Sequence, residues 1–239
     1  MDISNVEHIL LTTPVPVATA TIAAAAAVYR PPSLKVQSGV QHFAAGLVFA
    51  TAATELVPDL VKEHSDTAVL IGFALGIALM LAVDYLPTRL LAGSESSTPM
   101  ATLTAVGIDV FLDGILIGVG FVEGSKAGLL LAVALSVELT FLGLSVAAQL
   151  QAAGGFRARV IGTTTLIASP LIVGGLSAVT LLGKLHGAPL SVILSVGTVA
   201  LLYLVTEELL VEAHERADTP LLTAMFFVGF LVILLLSFR

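Results

Sequence analysis

The chain has 239 residues, of which 57% are hydrophobic and 11% charged, with a formal net charge of −7. About a quarter of a soluble domain is charged, so this chain cannot coat a water-facing surface, which excludes an ordinary soluble enzyme, a nucleic-acid-binding domain and a disordered chain. Cysteine is absent, which excludes disulfide scaffolds, thiolate metal sites and cysteine nucleophiles.

A membrane-spanning helix needs about 20 apolar residues, and eight stretches of the sequence supply them. Residues 9–29 come first and are rich in alanine. Their flank from Met1 to His8 carries two acids and no Lys or Arg, so a span is expected there rather than a secretory signal. After Arg30-Pro-Pro-Ser-Leu-Lys35 come residues 36–54, then 67–83. A polar break at 93–99 precedes residues 100–122, which are apolar except for Asp109 and Asp113. Gly124-Ser-Lys126 predicts a tight turn into 127–156, apolar except for Glu138. Stretches 160–183, 188–206 and 219–238 complete the set. The eight helices use most of the chain, so residues 1–239 read as one all-α polytopic transmembrane domain.

Eight spans put both termini on one side. With the termini outside, the inside carries Arg30, Lys35, Arg89, Arg157, Arg159 and Arg216, against Lys62, Lys126, Lys184 and Arg239 outside. Six against four favours both termini outside, and a multi-pass place in the cell membrane with extracytoplasmic termini is the expected location.

The acids within or at the edge of spans are Glu55, Asp109, Asp113, Glu138, Glu207 and Glu208. Setting them aside leaves 11 acids against 10 bases, so the acidic excess lies almost wholly in the spans. Each costs about 3 kcal/mol at mid-bilayer, and no Lys or Arg lies deep in a span to offset it. Such acids are either protonated or bind a cation. Asp109 and Asp113 are spaced i,i+4, which puts them on one helical face about 6 Å apart. The short turn makes spans four and five antiparallel neighbours, so Glu138 is expected to join them near the midplane. The plainer alternative is three protonated acids bonded to backbone, Ser136 or Thr140.

Glu55, with Asp59 at i+4, lies toward the outer end of span two. Glu208, with Glu212 at i+4, lies toward the inner end of span seven. Glu207 must point away from Glu208, and Asp84 reads as an interfacial residue able to reach Arg89. Of the five histidines, none is central; His214 is a candidate inner ligand, and His42 reads as packed or interfacial. Pro58 and Pro170 are expected to kink their helices, and Pro170 to free a carbonyl for a cation. Gly72/Gly76 and Gly114/Gly118 have the spacing of close helix packing. No P-loop, GxSxG or HExxH pattern is present, so neither ATP hydrolysis nor an enzyme is expected. Glu55-Leu-Val-Pro-Asp59 echoes Glu208-Leu-Leu-Val-Glu212 in spans that cross in opposite senses. That fits three helices repeated in inverted topology around a central pair, a 3+2+3 bundle.

Four segments carry a family resemblance: His42-Phe-Ala-Ala-Gly-Leu-Val-Phe-Ala-Thr-Ala-Ala-Thr-Glu-Leu-Val-Pro-Asp59, Asp109-Val-Phe-Leu-Asp-Gly114, Val137-Glu-Leu-Thr-Phe141 and Glu207-Glu-Leu-Leu-Val-Glu-Ala-His214. In order along the chain they resemble the second, fourth, fifth and seventh helices of the ZIP (Zrt/Irt-like protein) family of divalent metal transporters. The resemblance implies a binuclear-type metal site between helices four and five. Asp109 takes the place of a His, Asp113 and Glu138 those of acids, Glu208 that of the inner acid and Glu55 that of the outer one. Val110 stands where the family has Asn, Val137 and Phe141 where it has His, and Thr140 where it has Pro. The loop after span three has no His-rich tract.

The leading reading is transport of a divalent metal toward the cytoplasm. Asp109, Asp113 and Glu138 would bind it at the midplane, Glu55 would collect it outside, and Glu208, Glu212 and His214 would release it inside. The metal is the substrate rather than a resident cofactor. Carboxylate oxygens suit Mn, Mg or Ca better than Zn, with Fe, Zn and Cd still open. Two other readings stand beside it: a ZIP-like protein with a degenerate metal site that carries another solute by proton-linked transport, and a non-transporting sensor. The partners expected are the metal ion and the lipid bilayer, with no nucleic acid; a homodimer is one assembly open to the chain.

Overall fold

The structure, a computed structural model, describes residues 3–62, 65–91, 99–214 and 219–238. His64, Arg216, Arg239 and most of the polar break at 93–99 lie outside these residues, as do the side chains of Asp84, Arg89 and Glu212. The described chain is helical throughout, with no strand.

Helices α1 (Ile3–Thr12) and α2 (Pro14–Tyr29) form the first rod. The second runs through α3 (Leu34–Thr51), a π-helical turn (Ala52–Leu56) and α4 (Val57–Lys62). Single long helices come next: α5 (Asp66–Leu91), α6 (Pro99–Glu123) and α7 (Ser125–Ala152). Then come α8 (Arg157–Ala168) with α9 (Pro170–Leu182), and α10 (Ala188–Tyr203) with a second π-helical turn (Leu204–Leu209) and α11 (Leu210–His214). Helix α12 (Pro220–Ser237) ends the set. Seven of these rods are long and apolar enough to cross a bilayer, and α6, at 25 residues, has the length of another. The fold is that of a helical, multi-pass membrane protein.

Local chemistry sets the rod ends. Ser33 caps α3 by accepting from the Val36 N–H. Proline opens α2, α9, α10 and α12, where its missing N–H costs nothing. Gly154 and Gly187 take positive φ, 84° and 65°, at the turns after α7 and before α10, a region other residues enter only with strain.

Pro14 and Pro170 break their rods, as expected for Pro170. Pro170 frees no carbonyl, however. The Leu166 carbonyl that it cannot engage accepts from the Ser169 N–H at 3.3 Å and from Ser169 Oγ at 2.8 Å. Before Pro14, the Thr13 N–H and Oγ1 both reach Thr13's own helical partner, the Ile9 carbonyl.

Two π turns have no counterpart in the hydropathy pattern. They close with equivalent bonds, Val57 N–H to Ala52 O and Leu210 N–H to Val205 O. Aligned on the sequence echo, Glu55 and Glu208 sit at matching places, each one residue before the end of its π turn. Pro58 accounts for only the first turn, since Val211 stands at the matching position.

The rods pair closely: α2 on α7, α6 on α9, α3 on α12 and α5 on α10. The alanine-rich α2 lets backbones approach, and a Cβ placed on Gly143 of α7 would lie 2.3 Å from the Ala20 carbonyl oxygen. Hydroxyls add cross-links: Thr19 Oγ1 donates to the Ser136 carbonyl at 2.9 Å, and Thr21 meets Thr165 at 3.0 Å. Large apolar side chains such as Leu11, Ile22, Leu70, Leu166, Leu181 and Phe227 face outward. That pattern fits lipid as the solvent.

Candidate functional site

Helix α6 ends at Glu123 and α7 begins at Ser125, so Gly124 alone separates them and the two run back together. The i,i+4 pair on α6 therefore faces Glu138 on α7. One ligand oxygen from each of Asp109, Asp113 and Glu138 lies within 4.8 Å of the other two. Asp113 and Glu138 are almost fully buried, at 2% and 4% exposure, and Asp109 is half-buried.

Ser136 and Thr140 do not donate to these acids. Ser136 Oγ donates to the Ala132 carbonyl at 2.5 Å and Thr140 Oγ1 to the Ser136 carbonyl at 2.7 Å. Asp113 Oδ2 is buried with no hydrogen-bond partner. Among the described residues, the charges that act on Asp113 are all acids: Glu138, Asp109 and Glu208. Two ionised carboxylates about 5 Å apart repel by roughly 3 kcal/mol at an effective dielectric near 20. Three such pairs amount to roughly 10 kcal/mol, comparable with the whole stability of a domain. The cluster must therefore hold protons or a cation. Its donors are all oxygen, the set preferred by hard divalent ions.

A cavity of about 190 Å³ opens onto the cluster, lined among others by Asp109, Glu138, Phe141, Ser145, Gln149 and Glu208. Glu208 thus faces the same space as the central acids, where its span position placed it nearer an exit. Glu207 is exposed, as its place beside Glu208 requires.

Glu55 lies elsewhere, in a second cavity of about 350 Å³ shared with Asp59, Lys62, Glu123 and Lys126. Lys126 Nζ stands 4.0 Å from Glu55 Oε1 and also donates to the Ser237 carbonyl. Lys62 Nζ pairs with Asp59 Oδ1 at 2.5 Å. The expectation that span acids lack basic neighbours fails for Glu55, because Lys126 comes from the start of a different helix. Its position beside the Gly124 turn was the signal available in the sequence. Lys126 holds positive charge in a cavity otherwise rich in acids. Lys126→Gln is therefore expected to raise Mn(II) binding at this cavity two- to three-fold at low ionic strength, with the gain fading in high salt. Equilibrium Mn(II) titrations of the purified protein at two salt concentrations check this.

His214 ends α11 away from the central acids, its ring against His42 of α3. Glu212 lies in α11 with its side chain outside the described residues. The carboxylate cluster thus unites Asp109, Asp113 and Glu138, with Glu208 on its cavity; Glu55 and His214 stand apart. No family model matches the chain, and no curated protein matches it.

Proposed function

We propose that the chain carries a divalent metal ion across the membrane by way of Asp109, Asp113 and Glu138. The single observation behind this reading is the meeting of three carboxylates, two of them nearly fully buried, with no base among the described groups acting on Asp113. An evolved bundle tolerates such repulsion where a cation relieves it. Oxygen donors point to Mn or Fe ahead of Zn and Cd. Glu208 receives the ion on the same cavity, Glu212 and His214 release it at the inner end, and Glu55 gathers it at the outer mouth.

The proposed architecture is eight spans in a 3+2+3 inverted repeat, with both termini extracytoplasmic in a cell membrane. Support comes from the packing. Exchanging the first three rods for the last three, and α6 for α7, maps α2 on α7 onto α9 on α6. It likewise maps α3 on α12 onto α10 on α5. The paired π turns obey the same exchange. This plan, with the likeness of the four sequence segments, is the ground for placing the chain near the ZIP transporters.

Uptake of radiolabelled Mn by proteoliposomes tests the proposal; no flux above empty liposomes for Mn, Fe, Zn or Cd would end it. Ligating carboxylates must be ionised, so protons compete with the metal. Uptake is therefore expected to fall several-fold as external pH drops from about 7.5 to about 5.5, with binding weaker at the acid end. A pH-independent rate would count against carboxylate ligation.

One observation favours a second reading. Asp113 is 2% exposed and does not line the cavity wall, which suits an acid that carries a proton for another solute. Titration calorimetry separates the two: absence of binding by every metal favours the proton-linked carrier.

A further inference from the structure

A cavity of about 820 Å³, within the size range of ligand pockets, opens at one end of the bundle. Its walls include Pro31, Gln151, Gly154, Gly155, Phe156 and Arg157. It sits where three rods leave the apolar layer: Val6–Tyr29 and Ser125–Ala152 end there, and Arg157–Leu182 begins. That is the depth of the lipid headgroups. Gln151 Nε2 donates to the Val28 carbonyl at 2.9 Å, which ties the end of α7 to the end of α2.

The charge here is of one sign. Arg157 lines the cavity, with its guanidinium 4.9 Å from the centre of the Tyr29 ring. The Arg159 guanidinium lies 5.8 Å from the ring centre of Phe156, itself a wall residue. Arg30 falls between Tyr29 and the wall residue Pro31 in sequence. No acid occurs between Glu7 and Glu55, nor between Glu138 and Glu207. Among the described residues, neither Arg157 nor Arg159 has an ion-pair partner. An aromatic face holds a guanidinium flat and leaves its N–H edge to bind, and that planar fork fits two oxygens of a phosphate. Arginines that only orient a chain across the bilayer need neither a cavity nor a ring beside them.

The surface leading away from the cavity is apolar. Thr21 of α2 and Thr165 of α8 touch at 3.0 Å, and the residues that follow them, Ile22 and Leu166, are exposed at 67% and 70%. At about 1.5 Å per residue they lie roughly 10–14 Å along their helices from Tyr29 and Arg157. We infer that the cavity binds the phosphate of an anionic phospholipid, with Arg157 and Arg159 on the headgroup and the acyl chains over the seam of α2 and α8. Basic pockets between membrane helices hold anionic headgroups in this way. A free phosphate has the same headgroup chemistry, but it makes no use of the apolar seam. The site is separate from the carboxylate cluster of α6 and α7.

Native mass spectrometry of the full chain released from mixed micelles tests this. Dioctanoyl phosphatidylglycerol is the probe and dioctanoyl phosphatidylcholine the zwitterionic reference. The anionic lipid should bind at least tenfold more tightly than the reference. Arg157→Gln, at an exposed position, should remove most of that preference, and Arg159→Gln should reduce it several-fold. Neither should change binding of the reference lipid. Arg157→Lys keeps the charge without the planar fork and should fall between the parent and Arg157→Gln. Lys184→Gln, in the turn after α9, should bind as the parent does. Unfolding temperatures confirm that the variants are folded. Equal affinity for the two lipids overturns the inference. So does undiminished binding of phosphatidylglycerol by the folded Arg157→Gln/Arg159→Gln chain. Displacement of the lipid by an equal concentration of inorganic phosphate overturns it in favour of a free-anion site.

Discussion

Asp113→Asn is expected to reduce metal uptake at least tenfold while leaving the protein folded and, without metal, more heat-stable. Asp113 is nearly fully buried and shares its site with Asp109 and Glu138. Removing its charge relieves two repulsions of roughly 3 kcal/mol each when all three groups are ionised. The amide also donates toward carboxylates that the original side chain could only repel. The same change removes a charged ligand, and tenfold weaker binding corresponds to about 1.4 kcal/mol. Thermal unfolding in detergent, with and without Mn, reads both effects. The parent should gain about 2.7 kcal/mol at a metal concentration near 100 times its Kd, and the variant should gain little. Undiminished uptake by a folded variant would sink the central assignment.

The largest structural effect is expected at Gly46, far from the central carboxylates in sequence and on a different pair of rods. A Cβ there would lie 1.9 Å from the Phe226 carbonyl oxygen and 2.9 Å from the Phe230 amide nitrogen. Those are backbone atoms, so no side-chain rotation makes room and α12 must move away from α3. Gly46→Ala should cost about 1–3 kcal/mol or more, as overpacking does. Gly107→Ala is the control. Nothing lies within 4 Å of a Cβ there, and alanine favours a helix by about 1 kcal/mol over glycine. The two substitutions should therefore shift the unfolding temperature in opposite directions. Equal melting of Gly46→Ala and the parent protein would mean that α3 and α12 do not pack in this way.

The spans are legible in the sequence because hydropathy and helix length are local properties. Predicted residues 9–29 correspond to the rod Val6–Tyr29, and 160–183 to Arg157–Leu182. Hydropathy ends the second span at 54, yet its helix continues to Lys62 through Glu55 and Asp59. An apolar run stops at a carboxylate, whereas backbone hydrogen bonding does not. The seventh ends at 206 by hydropathy, yet its helix runs on to His214 for the same reason. The central cluster is legible too. Its ingredients are a four-residue spacing on one helix, a short turn and one acid on the returning helix.

Other parts of the site leave no local trace. Lys126 reaches Glu55 only because α7 starts beside the π turn that carries it. His42 reads as an interfacial residue, since its partner is 172 positions along the chain, at His214. The second π turn contains no proline, so its wider hydrogen-bond register depends on packing rather than on a residue type.

The sequence by itself determined the solvent of this protein, the approximate length of its helices and the place of its excess negative charge. Those come from composition and from spacings within one turn of helix. Only the tertiary structure decided which acids share a cavity, which of them meets a lysine and which histidines touch. These are distances between separate rods. They are set by glycine-sized gaps and by an extra residue in each π turn, and no short window of sequence contains them.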